Sequence, residues 1–304
     1  MSMPAIVQQP MSFTNGDVRF AGTLYLPEHG DRVPAVVVLW DASMPTRAFG
    51  LYQQLARGLP AIGVAVLVFD RRGSGESRGS IGHTTYDDLA GDGIAALHAL
   101  QRTPRIDPSK IGFWGLSQGG WLAVLAASET PDAAFVISCS APLVTPAEQM
   151  TFAVNNIFTI RGYGADALRQ ALALRRVQAE YNGGRGSYAA TVEETRKASN
   201  EPWFPDAFVR SVAQVPKSTP DTAWLRVTSY DPIEPLEAVR APVLIFYGGA
   251  DPWVPVAVSV ERLRPIGRQS HCRRAAKRVG GILLHHGQLV DAAARVEVSV
   301  VSAQ

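Results

Sequence analysis

The sequence predicts an α/β fold with a mostly parallel central sheet, flanking helices and an inserted helical segment. Three observations carry this. Buried-strand runs alternate with helical stretches from Ala35 to Ser140, the interval from Pro142 to about Arg240 holds no such run, and the pattern resumes at Pro242 to Tyr247.

The elements follow in order. Val18 to Leu26 reads as a strand after the turn pair Asn15-Gly16, so the chain opens with a hairpin. Ala35 to Trp40 and Val64 to Phe69 are continuous apolar runs, as in strands buried on both faces. Arg47 to Leu59 has helical spacing, and so does Asp87 to Leu100, whose Leu89, Ile94, Leu97 and Leu100 supply a sheet-facing stripe. Asp107-Pro108 reads as a turn before the strand Lys110 to Trp114, with a helix from Gln118 to Ser128 and a strand from Phe135 to Ser140 beyond it. Short connections between them imply right-handed crossovers.

After Pro142 the texture is helical, clearest from Ala165 to Tyr181. Gly183 to Gly186 breaks it, and Pro202, Pro205, Pro216 and Pro220 punctuate the rest. The expected organisation is a core of residues 13–141 and 241–304, with 142–240 as a helical cap or lid.

Of 304 residues, 46% are apolar and 18% charged, enough to bury a core, and the net charge of +2 gives no reason to expect nucleic acid or a membrane surface as a partner. Residues 1–11 lack a basic start followed by an apolar core, and no apolar run approaches the roughly 20 residues that span a bilayer. A cytoplasmic location is expected. Cys139 sits in an apolar run and reads as an inert thiol, while Cys272 is too distant in sequence to suggest a disulfide framework. The basic cluster Arg268, Arg273, Arg274, Lys277 and Arg278 reads as a solvated face.

Chemistry is signalled at Gly115-Leu116-Ser117-Gln118-Gly119, between a strand and an Ala-rich helix. This is the nucleophile-elbow pattern. The two glycines leave room for a turn tight enough to strain the serine backbone and lift Oγ above the sheet edge. A serine hydroxyl needs a histidine base, and that base needs an orienting carboxylate.

Asp251, just after the apolar run Val243 to Tyr247, is the candidate acid; its competing reading is a cap for the Pro252 to Pro255 segment. Asp70 also ends a strand, but Arg71 and Arg72 beside it suggest a structural turn with local ion pairing. For the base, His286 is preferred, His285 second and His271 third, with a surface role open for each. His29, His83 and His98 precede the serine and fit loop or helix positions. The oxyanion hole should use the backbone amide of Gln118 and one from the loop after Trp40, that of Ala42.

With these residues placed, the chain resembles the α/β-hydrolase superfamily, in the branch of dienelactone hydrolase and prolyl-oligopeptidase-like esterases. The resemblance runs from Phe13 to about Pro265. It rests on Gly22 to Pro27, Phe69-Asp70-Arg71-Arg72-Gly73-Ser74-Gly75-Glu76-Ser77, Asp107 to Gly112 leading into the elbow, and Val239 to Leu244 leading to Gly248-Gly249-Ala250-Asp251. It implies acyl transfer to water with Ser117, Asp251 and a late histidine as triad.

Two departures stand out. Relatives carry His-Gly where this chain has Trp40-Asp41, and a carboxylate there opposes the developing oxyanion unless it points away. From Gln269 the texture leaves the family pattern, with His286-Gly287 its only trace. The expectation is an altered tail, as from a shifted reading frame.

The leading expectation is a carboxylic-ester hydrolase without metal or cofactor, acting on a small-molecule ester. Trp40, Trp203 and Trp224 are the candidate substrate contacts. Phe152, Phe158, Tyr163 and Phe204 could join them as pocket wall or could be core of the inserted segment. A peptidase or amidase with the same triad, and a silent hydrolase fold that only binds ligand, are the alternatives.

Overall fold

The computed structural model describes residues 5–43, 45–82 and 84–266 with their side chains. Residues 267–269, 273–278, 281–285, 288–292 and 295–301 are described by their backbone. The chain opens with Ile6–Asn15 (β1) and Val18–Pro27 (β2), paired antiparallel from Asn15↔Val18 outward. Their two-residue loop begins with Gly16 at φ 54°, the position where this kind of hairpin needs glycine.

Val33–Leu39 (β3) leads to Gly50–Gly58 (α1), then Ala65–Phe69 (β4) and Tyr86–Gln101 (α2). The first turn of α2 is fixed by a reciprocal cap, in which Thr85 Oγ1 accepts from the Asp88 amide and the Asp88 carboxylate accepts from the Thr85 amide. Ile106–Leu116 (β5), Gln118–Glu129 (α3) and Val136–Cys139 (β6) follow.

The next helices are Pro146–Arg161 (α4), Ala165–Asn182 (α5), Tyr188–Ala198 (α6), Thr222–Thr228 (α7) and Ile233–Ala238 (α8). No strand occurs in 142–240, all of whose residues are described. Then come Val243–Gly248 (β7), Val256–Gln269 (α9), Arg273–Arg278 (β8), Gly281–His285 (β9), Gln288–Ala292 (β10) and Arg295–Val301 (β11).

The main sheet runs β1-β2-β4-β3-β5-β6-β7-β11-β8. Its middle, from β4 through β7, is parallel throughout. β3 and β4 are almost wholly apolar and buried, as strands covered on both faces must be. The α/β-hydrolase fold expected from the sequence is present in this parallel sheet and its flanking helices. The tail adds β11 antiparallel to β7, then β8 antiparallel to β11, while β9 and β10 form a separate hairpin.

The chain divides into two compact units, Met1–Leu143 with Pro232–Asp251 and Val256–Gln304, and Val144–Asp231 with Pro252–Pro255. The second has its own core of Val154, Phe158, Ala171, Leu174, Trp203 and Ala207. Gln178, almost fully buried there, donates to Thr195 Oγ1 and to the Arg210 carbonyl, both at 2.9 Å, so its burial leaves no unpaired amide N–H.

Two local expectations differ from what is found. Asp107 and Pro108 lie inside β5, because Ile106 already pairs with Val33, and the register shifts before Ala35↔Ile111. Asp70 does not pair with the flanking arginines. Its carboxylate is buried and takes the Arg47 guanidinium at 3.1 Å, with the amides of Arg47 and Glu76 at 2.9 and 3.0 Å. Arg72 turns instead to Asp92.

Candidate active site

Parallel register brings the ends of three strands to one edge of the sheet. Leu39 of β3 lies beside Gly115 of β5, and Leu116 of β5 beside Cys139 of β6. Ser117 follows directly, its amide donating to the Cys139 carbonyl at 2.8 Å, and α3 starts at the next residue. Its backbone stands at φ 53°, ψ −120°, in the left-handed half of conformational space that residues with a Cβ avoid.

The surrounding glycines show what holds that conformation. A Cβ on Gly115 would meet the Gly119 carbonyl oxygen at 1.9 Å, and one on Gly119 would meet the Leu39 and Trp40 carbonyl oxygens at 2.4 and 2.8 Å. The turn is thus closed against itself and against the end of β3. α3 has no acidic residue in its first turn and no side-chain cap, so its positive end is left open beside Ser117.

The loop after β3 lies against this turn. The Asp41 amide donates to Tyr52 Oη at 2.7 Å, and the Ser43 amide donates to Asp41 Oδ1 at 2.8 Å. Ser43 Oγ also donates to Asp41 Oδ1, at 2.6 Å. The Asp41 carboxylate is therefore turned along its own loop toward Ser43. Among the described residues, the Ala42 amide donates to no acceptor.

Arg71 joins the two parts. Its Nη1 donates to Gln118 Oε1 at 3.2 Å and its Nη2 reaches the Ala42 carbonyl oxygen at 3.5 Å. Its own amide donates to the Pro45 carbonyl at 2.8 Å. Burial lowers the Arg71 pKa from its ordinary value, against favourable fields from Tyr52, Asp41 and Tyr86. Sequence reasoning treated Arg71 only as a neighbour of Asp70; a cation two residues past a strand that ends at the same edge was the available signal.

Asp251 leaves β7 two strands from β5, at the same edge as Ser117, with its amide donating to the Gly248 carbonyl at 3.1 Å. His286 and His271 lie outside the described residues; His285 closes β9, where the backbone alone is described. His83 also lies outside them. His29 sits on the loop entering β3, at the opposite edge of the sheet, beside Glu28. His98 lies in the last turn of α2 and approaches Asp132 at 3.3 Å.

Trp40 is not available as a substrate contact. It is fully buried, packs against the Phe69 ring, and donates its indole N–H to the Phe69 carbonyl at 2.6 Å. Trp203 is 3% exposed, within the core of the second unit, and also lines a cavity there. Phe158 belongs to that core, and Tyr163 and Phe204 pack on it. Trp224 is half-buried on α7, its amide donating to the Asp221 cap at 3.0 Å. Cys139 is a free thiol that burial pushes up to about 12, so it stays protonated and unreactive. Cys272 lies outside the described residues. Among the described residues no cluster of ligating side chains could hold a metal, and no helix is long and apolar enough to cross a membrane.

A family model described as serine aminopeptidase, S33 matches residues 46–278, more than three quarters of the chain. The chain belongs to this hydrolase family. The match takes in the elbow, Arg71 and Asp251. An uncharacterized protein of Mycobacterium tuberculosis is 33% identical over 124 residues, 41% of this chain and 42% of that protein. Thiohydrolase apmlB of Arthrinium phaeospermum is 31% identical over 115 residues, 36% of each chain. The chain thus matches about two fifths of the length of these curated relatives.

Solved structures share the fold. The DcsB complex with its substrate analogue superposes with a TM-score of 0.55 at 18% identity, over 84% of this chain and 86% of that one. The Pyrococcus furiosus esterase Pf2001 gives 0.54 at 18% identity, over 85% and 77%. The protein is a member of the α/β-hydrolase superfamily.

Proposed function

We propose that this hydrolase cleaves carboxylic esters of small molecules through an acyl-enzyme on Ser117. The observation that supports it most is the strained backbone of Ser117, at φ 53° and ψ −120°, sealed between Gly115 and Gly119 at the start of α3. Such strain costs about 1–3 kcal/mol and persists where surrounding structure enforces it.

Ser117 Oγ attacks the ester carbonyl carbon and its proton passes to a late histidine, His286 first and His285 second. The C–O bond to the alcohol then breaks, and the imidazolium returns the proton to the departing oxygen. Water repeats the sequence on the acyl-enzyme and releases the acid. Asp251 orients the histidine and stabilises its charged form. The amides of Ala42 and Gln118 receive the oxyanion; both are free to donate, one because its loop neighbours hold the other bonds, the other because it opens a helix. Asp41 does not oppose this charge directly, since its carboxylate is engaged by Ser43.

The family's description, serine aminopeptidase, favours a second reading in which the same groups cleave an aminoacyl amide. Relative turnover of p-nitrophenyl acyl esters and aminoacyl anilides separates the two. The central test is labelling by a fluorophosphonate probe beside ester hydrolysis in Ser117→Ala, His285→Ala and His286→Ala. Loss of both in Ser117→Ala, and of hydrolysis in one histidine variant, is expected. An unlabelled but folded wild type leaves only a ligand-binding role.

A further inference from the structure

The guanidinium of Arg71 bridges two residues that are far apart in sequence, Ala42 and Gln118. Neither contact is to a carboxylate, and among the described residues the buried Arg71 Nε has no acceptor. A half-buried cation spent on a carbonyl and an amide oxygen gains little stability for its desolvation. By contrast, the motif's next arginine, Arg72, has an ordinary structural partner in the buried Asp92 carboxylate, at 2.6 and 2.7 Å.

What Arg71 does accomplish is geometric. The loop 41–43 has its flanking amides committed, Asp41 to Tyr52 and Ser43 to Asp41, and among the described residues the Ala42 amide has no acceptor. The Ala42 carbonyl is the point at which Arg71 grips that loop, while the Gln118 side chain is its grip on the elbow. The elbow side of the grip is itself braced, since Gln118 Nε2 donates to Tyr86 Oη at 3.4 Å and Tyr86 is buried. The Arg71 backbone ties the far end of the same loop at Pro45.

We propose that Arg71 is a positioning residue that sets the separation of the Ala42 and Gln118 amides, so that both donate to the oxyanion of the tetrahedral intermediate. This rests on the reading of those two amides as the oxyanion hole. The role is specific to the transition state, because a misplaced donor costs little in substrate binding and much in the developing charge. Lysine cannot replace it: one ammonium on a flexible stem keeps the charge but not the planar fork that reaches two acceptors.

The test compares wild type, Arg71→Met, Arg71→Lys, Gln118→Leu and the double variant Arg71→Met/Gln118→Leu. Gln118→Leu keeps the main-chain amide and removes the side-chain acceptor for Arg71 together with the donor to Tyr86 Oη. Each is assayed with a p-nitrophenyl ester, with a trifluoromethyl ketone that mimics the tetrahedral adduct, and for the rate of fluorophosphonate labelling; thermal unfolding checks the fold. Arg71→Met is expected to lower kcat by about 10-fold or more with KM within about twofold, and to weaken the ketone in proportion. Arg71→Lys is expected to behave as Arg71→Met. The double variant is expected to lose no more than the worse single one.

An unchanged kcat and ketone affinity in a folded Arg71→Met, with wild type still labelled, overturns the positioning role alone. So does full recovery by lysine, or a rise in KM with kcat unchanged, which marks direct substrate binding. If Arg71→Met does not fold, unchanged kcat and ketone affinity in Gln118→Leu overturns it equally. Absence of labelling in folded wild type overturns the oxyanion reading and this proposal with it.

Discussion

A Cβ on Gly119 would lie 2.4 Å from the carbonyl oxygen of Leu39. The start of α3 therefore rests directly on the last residue of β3, with no side chain between them. Gly119→Ala must push the helix away from that strand. The expected cost is about 1–3 kcal/mol of stability, as for other forced overpacking. Ester hydrolysis should fall more steeply than stability, since about 1 Å of displacement can cost on the order of 100-fold in rate. Urea unfolding and kcat measured on the same preparation check this; a variant with native activity shows that the close approach does not set the site.

Ser117 presents the opposite case. Its φ of 53° is a conformation glycine adopts without penalty. Ser117→Gly should therefore unfold at higher denaturant, by about 1 kcal/mol, while losing fluorophosphonate labelling altogether. Ser117→Ala, which keeps the Cβ, should lose labelling without that gain. Equal stability of the two variants would mean that the backbone there is not strained.

The parallel sheet was legible because β3, β4, β6 and β7 are short apolar runs, which fit only strands buried on both faces. The elbow was legible because its glycines answer a local steric need. What sequence did not reveal depends on contacts between distant residues. Nothing near Asp70 marks Arg47 as its partner, since Arg47 lies 23 positions earlier, between β3 and α1. Trp40, a candidate substrate contact at the end of an apolar run, is absorbed by the Phe69 carbonyl and ring. Asp107 and Pro108 read as a turn because they break the apolar run between Ile106, which pairs with Val33, and Ile111. The placement of a histidine base was not legible either, as the candidate His286 lies in the stretch least like the family.

Arg72 and Asp92 make the second buried charge contact of this turn. Asp92 is fully buried, with Arg72 Nε at 2.7 Å, Arg72 Nη2 at 2.6 Å and Asn15 Nδ2 at 2.9 Å. Arg72→Met leaves the carboxylate with the Asn15 amide as its remaining donor among these. The expected loss is about 3–5 kcal/mol in denaturant unfolding. Replacing both, as Arg72→Met/Asp92→Leu, should recover most of it. If the double variant is no better than the single one, the uncompensated charge is not the cause.

Acid should act on Asp107. Hydrogen bonds from the Ser109 hydroxyl and amide, with Lys110 nearby, hold its carboxyl at about 2, below the ordinary 3.8. A depressed pKa in the fold means the unfolded chain binds the proton first. The stabilisation is therefore full above about 3.8 and is lost as pH falls toward about 2. Asp107→Asn should flatten that part of the stability profile while leaving the limb above it unchanged. Urea midpoints measured between these values decide it, and an identical acid limb in both proteins excludes Asp107.

Asp251 is the last residue whose role experiment must separate, because a cap and a catalytic orienter occupy the same kind of position after a strand. Its amide donates to Gly248 and so closes the turn whatever the carboxylate does. Asp251→Asn keeps the size and much of the hydrogen bonding of the side chain but removes its charge. A cap tolerates that exchange, because asparagine and aspartate cap about equally well. An orienter does not: the amide favours the wrong histidine tautomer and cannot stabilise the imidazolium, which costs about 10⁴-fold in kcat where the arrangement is known. The expected result is therefore near-native unfolding with hydrolysis lowered by about 10³-fold or more, and fluorophosphonate labelling slowed in step. Native turnover in a folded Asp251→Asn assigns the residue to the turn and moves the search for the acid elsewhere along the same sheet edge.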